Sequence, residues 1–305
     1  MKHFNLLIIM FFAFTAITYA ETLRVALIPE SPRPGDPVTI AVNTPAKEAL
    51  LFVNERQVAK ANFFFVDDNP GVPCYFAALL AVPTTIAANG TVMIRINNYA
   101  GLLREIPVTI TPREFRSETI RLNPDLTRLV TTTDPQRTAE SHRLWQILNT
   151  TGNTVYHHGQ FVPPIATTRR TSSFGTRRIN QYSDGRNVTS IHAGIDYGAP
   201  TGTEVFACGA GKVVLARMRI ISGNSVIIEH APGVYSIYYH LDSITAQEDT
   251  IVEAGEVIGL VGSTGFSTGP HLHWELRVST ENTDPDVYIE RPILDKNLIN
   301  SKLFN

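Results

Sequence analysis

Between Thr22 and Thr111 short apolar runs alternate with polar turn residues, at the spacing of strands rather than helices. The runs are Leu23 to Ile28, Val38 to Val42, Ala49 to Val53, Asn62 to Val66, Tyr75 to Val82, Thr91 to Ile96 and Ile106 to Ile110. Seven such runs predict an antiparallel sandwich with the immunoglobulin-like strand count. Glycine and proline punctuate them where the chain must reverse: Pro32-Arg33-Pro34-Gly35-Asp36-Pro37, Asn69-Pro70-Gly71 and Asn89-Gly90 read as turns. The segment has no histidine and no catalytic constellation.

The pattern changes from Pro112 to Gln160. Here the spacing predicts one helix with Asp134 as N-cap and Pro135 at its first position. Leu144, Ile147 and Leu148 form its apolar face, and Thr151-Gly152-Asn153 ends it. From Phe161 onward strand-like runs return: Val205 to Phe206, Gly211 to Ala216, Ser225 to Glu229, Val234 to Leu241, Val257 to Val261 and His273 to Val278, with a hairpin turn at Ala231-Pro232-Gly233. Ala210 to Val214 and Ala254 to Gly259 are similar to the half-motifs of lipoyl and biotinyl carriers, but the turn between them offers no lysine, so the likeness is one of barrel-sandwich shape. The fold class predicted is mainly β. An N-terminal immunoglobulin-like sandwich (21–112) is followed by a short helical connector (113–160), a C-terminal antiparallel β-sheet or barrel-sandwich domain (161–293) and a C-terminal tail (294–305).

The first twenty residues change the expected compartment. Lys2 and His3 precede an apolar run from Leu6 to Ala16, and the small residues Thr18 and Ala20 stand before a cut at Glu21, the pattern of a secretory signal peptide. The run is well short of the roughly 20 residues of a membrane span, so no stable span is expected after cleavage, and the mature chain is placed in the periplasm or outside the cell. Across 305 residues, 43% hydrophobic, there is enough chain for about two cores. The net charge of -2 becomes -3 once Lys2 is removed with the leader, which leaves no basic surface for nucleic acid. Cys74 and Cys208 are the only cysteines, which excludes a multi-cysteine metal site, and both are read as free thiols.

Any metal must therefore sit on histidine and carboxylate. Three pieces supply them: His192-Ala193-Gly194-Ile195-Asp196, Tyr239-His240 and His271-Leu272-His273. Imidazole nitrogen and carboxylate oxygen suit zinc, whose catalytic sites use three protein ligands and an open position. Side chains two apart on a strand face the same side about 7 Å apart, so His271 and His273 can share one site. Other readings fail on missing partners. His273-Trp274-Glu275 lacks the Cys-x-x-Cys of zinc deaminases, Gly262 to Gly269 lacks the Gly-Lys-Ser/Thr of a phosphate loop, and no His-Glu-x-x-His helix exists. His142, His157 and His158 read as structural or solvated, and His230 as an exposed histidine at a strand end. Glu275 reads as structural, with support of His273 as the alternative, and Asn180, Tyr182 and Tyr197 as candidate groove residues.

In combination, Ser173-Phe174-Gly175-Thr176-Arg177, His192 to Tyr197, Gly223 to Val226, Tyr239-His240-Leu241 and Gly262 to Glu275 resemble the lysostaphin-type, or M23, peptidases over roughly Ser172 to Val278. The resemblance implies that His192, Asp196 and His273 ligate Zn2+ and that His240 and His271 are the catalytic pair. His271 is taken as general base and His240 as oxyanion stabiliser, with the reverse assignment open. It also implies a peptidoglycan stem-peptide substrate and a D-alanyl endopeptidase. A DD-carboxypeptidase, a glycyl-glycine endopeptidase and a latent wall-binding or regulatory module are the alternatives. The sandwich is a candidate surface for a protein partner.

Overall fold

The structure is a computed structural model that describes residues 22–67, 73–87 and 92–305. The expected leader and the turns at Asn69-Pro70-Gly71 and Asn89-Gly90 lie outside the described residues. Eight strands build the N-terminal part: β1 (Val25–Ile28), β2 (Pro37–Val42), β3 (Glu48–Val53), β4 (Arg56–Asn62), β5 (Phe64–Val66), β6 (Tyr75–Ala81), β7 (Val92–Asn98) and β8 (Gly101–Val108). They form two four-stranded sheets, β1-β2-β6-β5 and β4-β3-β7-β8. Strand β4 was not expected. Its sequence, Arg-Gln-Val-Ala-Lys-Ala-Asn, exposes most of its polar positions and buries only Ala59 and Ala61, so little apolar pattern marks it.

The two sheets pack through Val38, Ile40, Leu51, Leu80, Ile94 and Ile96. The first sheet is buried on its back as well, where Tyr75, Ala77, Leu79 and Ala41 join the core of the C-terminal part. That is why β2 and β6 read as near-continuous apolar runs, whereas β7, buried on one face, alternates.

The connector departs from the single helix expected. It holds a strand, β9 (Ser117–Arg121), and two helices, α1 (Pro124–Thr131) and α2 (Pro135–Asn149). Both helices begin alike. Asn123 caps α1 and Asp134 caps α2, each side chain accepting from backbone N–H groups of the first turn, and proline fills the next position.

The C-terminal part contains β10 (Arg170–Ser172), β11 (Arg177–Gln181), β12 (Asn187–Ile191), β13 (Gly194–Gly198), β14 (Glu204–Phe206), β15 (Gly211–Arg219), β16 (Gly223–Ala231), β17 (Val234–Ile244), β18 (Ile251–Val252), β19 (Val257–Val261), β20 (His271–Val278) and β21 (Glu281–Thr283), then α3 (Asp286–Glu290) and α4 (Lys296–Phe304). Ten strands share one sheet whose spine runs β10-β13-β20-β17-β16-β15-β18. The hairpin of β11 and β12 stands apart and is completed by β9 in parallel with β11.

Residues 294–305, expected as a tail, instead form α4, which buries Ile299 and Leu303 against β1 and β2. No helix among the described residues is long and apolar enough to cross a membrane.

Candidate metal centre and catalytic groove

Register brings the candidate ligands together. In the antiparallel pair of β13 and β20, Asp196 lies directly opposite His273, and Tyr239 of β17 lies opposite His273 on the other side. Residues opposed in this way present side chains to the same face. His192 arrives from the turn before β13, held to the Phe174-Gly175-Thr176 loop by its backbone N–H to Thr176 O at 2.9 Å and by Gly175 N–H to its own carbonyl at 2.9 Å. Its Nε2, the Oδ1 of Asp196 and the Nδ1 of His273 then lie 2.7 to 3.0 Å from one another.

Each of the three residues is pinned from behind. His192 Nδ1–H donates to Ser173 O at 2.9 Å, with Ser172 Oγ at 3.3 Å. His273 Nε2–H donates to Glu275 Oε1 at 3.0 Å, and Arg178 Nη2 donates to Asp196 Oδ2 at 2.7 Å. With the distal nitrogens committed as donors, both imidazoles aim lone pairs at the carboxylate oxygen. Three such atoms repel unless a cation or a shared proton lies between them, so the donor set fits zinc, whose tetrahedral ligands stand about 3.3 Å apart at ordinary bond lengths.

A proton on His273 is the alternative to that cation. Burial opposes charge on His273, but the Asp196 and Glu275 carboxylates override it and raise its pKa to about 9. Burial likewise pushes Asp196 and Glu275 up and is overcome. The hydrogen bonds from His192 and His273 hold Asp196 well below the usual carboxylate range, and Arg277 with His273 lowers Glu275 to about 2.

His240 and His271 face the same space, their ring centroids 4.9 Å apart. His240 sits at a bulge in β17 with φ of 63°, a left-handed conformation that few non-glycine residues adopt and that turns its ring into the groove. Its backbone N–H donates to Ser222 O at 2.9 Å and its Nδ1–H to Thr264 O at 2.8 Å. His271 Nδ1–H donates to Gly269 O at 2.8 Å. Each neutral ring therefore leaves Nε2 as an acceptor. Burial, then the neighbouring His273 and His271, lowers His240 to about 3.

The groove around these residues encloses about 710 Å³ and is lined also by Tyr239, Ile221, Phe266, Arg169 and Glu118. The five sequence-predicted site residues are thus in one place. Asn180, Tyr182 and Tyr197 are not among the groove-lining residues. Asn180 bonds its hairpin partner strand, and Tyr197 is buried against Arg170. His230, expected exposed, is fully buried, its ring bonded to Ala210 O and Ser236 Oγ and packed on Phe161, because the strand end it occupies lies under residues 156 to 161. Cys208 is buried and Cys74 exposed, and the two are not joined in a disulfide.

Sequence reasoning missed Arg178 and Glu118. Arg178 alternates with Asn180 along β11, a signal of facing but not of target, and Glu118 is remote in sequence.

Comparison with known proteins agrees with this geometry. Residues 190–285 match the family model for Peptidase family M23. The DD-carboxypeptidase/endopeptidase Mpg of Neisseria meningitidis serogroup B is 42% identical over 135 residues, 44% of this chain and 30% of that protein. The peptidoglycan DD-endopeptidase ShyA of Vibrio cholerae is 36% identical over 141 residues, 46% of this chain and 32% of that protein. The chain thus spans about a third of the length of these relatives. A crystal structure of an M23-type protein from Pseudomonas aeruginosa superposes with a TM-score of 0.59 over 85% of this chain and 95% of that one, at 20% identity, a likeness of fold.

Proposed function

We propose that residues 190–285, which match the model for Peptidase family M23, form the peptidase domain of an exported zinc metallopeptidase that cuts peptide cross-links of bacterial peptidoglycan. One observation carries the reading: three donor residues, each held from behind, converge beside two imidazoles whose Nε2 atoms are open. His192, Asp196 and His273 would hold the metal. When bound, zinc supplies Lewis acidity toward a carbonyl oxygen and acidifies water.

His271, the less buried of the pair, takes the proton of the attacking water at Nε2 and returns it to the leaving amine. His240, with Nδ1–H committed to Thr264 O, can donate to an oxyanion only after Nε2 has gained a proton. That proton must be a second one, taken from solvent and favoured by the developing negative charge, because the water's proton is held by His271 until it passes to the leaving amine. Tyr239 stacks on His273 at 5.7 Å with rings nearly parallel and walls that side of the site.

The D-alanyl endopeptidase reading is supported by likeness to the DD-carboxypeptidase/endopeptidase Mpg and the peptidoglycan DD-endopeptidase ShyA, and the likeness to Mpg keeps carboxypeptidase trimming as the second reading. Such a substrate places the mature chain in the cell envelope. A protein partner of the sandwich would meet the β4-β3-β7-β8 sheet, because the back of the other sheet is buried. The test is incubation of mature wild-type protein and a His271→Ala variant with purified sacculi, followed by mass spectrometry of the muropeptides. Chelator-sensitive release of new amino termini by wild type alone is expected, and product masses identify the bond. Identical muropeptide profiles for wild type, variant and buffer would overturn the enzyme reading.

A further inference from the structure

The three metal-ligating residues are held in part by a carboxylate from outside the M23 domain. Strand β9 lies parallel to β11 with Glu118 directly opposite Arg178. Glu118 Oε1 accepts from Arg178 Nε at 2.5 Å and from Ser172 Oγ at 2.9 Å. Each of those partners goes on to a ligand residue: Arg178 Nη2 to Asp196 Oδ2 at 2.7 Å, and Ser172 Oγ to His192 Nδ1 at 3.3 Å. One oxygen therefore anchors two chains of contact that end on two of the three ligands. The group is well sheltered, with side-chain exposures of 31% for Glu118, 18% for Arg178 and 10% for Asp196.

We infer that Glu118 is a positioning residue of the metal centre, so that the connector strand is part of the site rather than a tether to it. This rests on the reading of His192, Asp196 and His273 as ligands. Two physical effects follow from its place. Arg178 without Glu118 would turn its whole charge on Asp196, competing with a dication for that carboxylate. With Glu118 present, the pair Glu118 and Arg178 is neutral, and Asp196 keeps its charge for the metal. The fork of the guanidinium is also fixed by bonds at Nε and Nη2, which leaves Oδ1 of Asp196 as the free oxygen. Partners that orient ligands in this way are worth 10- to 100-fold in metal affinity.

The experiment measures zinc affinity of the full mature chain by competition with a chromophoric chelator, without substrate. Glu118→Ala should weaken zinc about 10- to 100-fold. Glu118→Gln keeps an oxygen acceptor but not the charge and should fall between that variant and wild type. Thr119→Ala, on the opposite face of the same strand, should match wild type. The Co2+-substituted chain gives a second readout, with an altered visible spectrum expected for Glu118→Ala and not for Thr119→Ala. Wild-type affinity in both Glu118 variants would overturn the inference while leaving the ligand assignment standing. An equal loss in Thr119→Ala would also overturn it, by showing that strand docking and not the carboxylate matters. A wild-type chain that takes up no zinc would sink the ligand assignment and this inference together.

Discussion

His240 occupies a conformation that costs on the order of 1 to 3 kcal/mol for a non-glycine residue, and two hydrogen bonds hold it there, to Ser222 O and Thr264 O. The return on that strain is an Nε2 that faces His271 across the groove. Replacing either ring should lower kcat on a cross-linked muropeptide by about 100-fold or more while zinc stoichiometry stays at the wild-type value. Loss of zinc from His240→Ala would instead make it a ligand. His230 illustrates a different use of the same side chain. Burial holds its pKa down to about 3, far from the groove, where it accepts or donates only to Ala210, Ser236 and Cys208. The unfolded chain takes up a proton at this residue below about 6.5, and the folded chain does not until about pH 3. Its contribution is therefore intact above 6.5 and is lost as pH falls toward 3, at up to about 1.4 kcal/mol per pH unit. Urea denaturation of wild type and His230→Gln at pH 7, 5 and 4 should give a shallower acid decline in the variant; parallel declines would contradict this account.

At the level of elements, the groove depends on two loops that touch backbone to backbone. Gly265, at φ of 74°, lies so close to the 221–223 segment that an added Cβ would stand 2.4 Å from Gly223 N and Ile221 O. Thr264 beside it carries the carbonyl that orients His240, and Ser222 beside Gly223 carries the other. Gly265→Ala must push the loops apart, and a shift near 1 Å at the reacting groups can cost 100-fold. We expect at least a tenfold fall in kcat with zinc content unchanged, measured on the purified variant. A variant with full activity would show that the loops relax without moving His240. The elements that sequence revealed are those whose neighbours are local in pattern: the capped helix α2, most sandwich strands, and the His-x-His strand β20. The helix α1 has an Asn-Pro start, as α2 has Asp-Pro, and Leu126, Leu129 and Val130 give it an apolar face, but its eight residues are too short a stretch for that spacing to stand out. Strand β9 carried no signal, since its single pairing is with residues some 60 positions away. The ligand set was legible because metal chemistry fixes residue type. Arg178 and Glu118 behind it were not, because arginine and glutamate on exposed-looking strands have many ordinary uses.

The molecule as a whole is held by an interface that sequence could not foresee, because both of its faces read as ordinary strand cores. One apolar core runs from Tyr75 and Leu79 of the sandwich through Phe174 to Trp274 and Leu303. Polar ties accompany it, among them Thr39 Oγ1 to Ile293 O at 3.2 Å and Arg177 Nη2 to Thr84 O at 2.7 Å. Arg177 thereby joins the loop that holds His192 to the sandwich. At the centre of the seam, Arg113 pairs with Asp284 and lies 3.6 Å from Asp36, and these carboxylates are 6% and 5% exposed. Arg113→Ala would leave the buried Asp284 without its cation, while Asp36 keeps Arg33 at 3.2 Å, and breaking a buried pair from one side costs about 3 to 5 kcal/mol. Near-UV circular dichroism during thermal unfolding should show the variant melting well below wild type. Because the core is continuous across the seam, both proteins should unfold in one transition, with tryptophan fluorescence and far-UV signal changing together. Two separated transitions in the wild type would mean that the sandwich and the peptidase half are stable on their own, and that the sandwich does not brace the loop that carries His192.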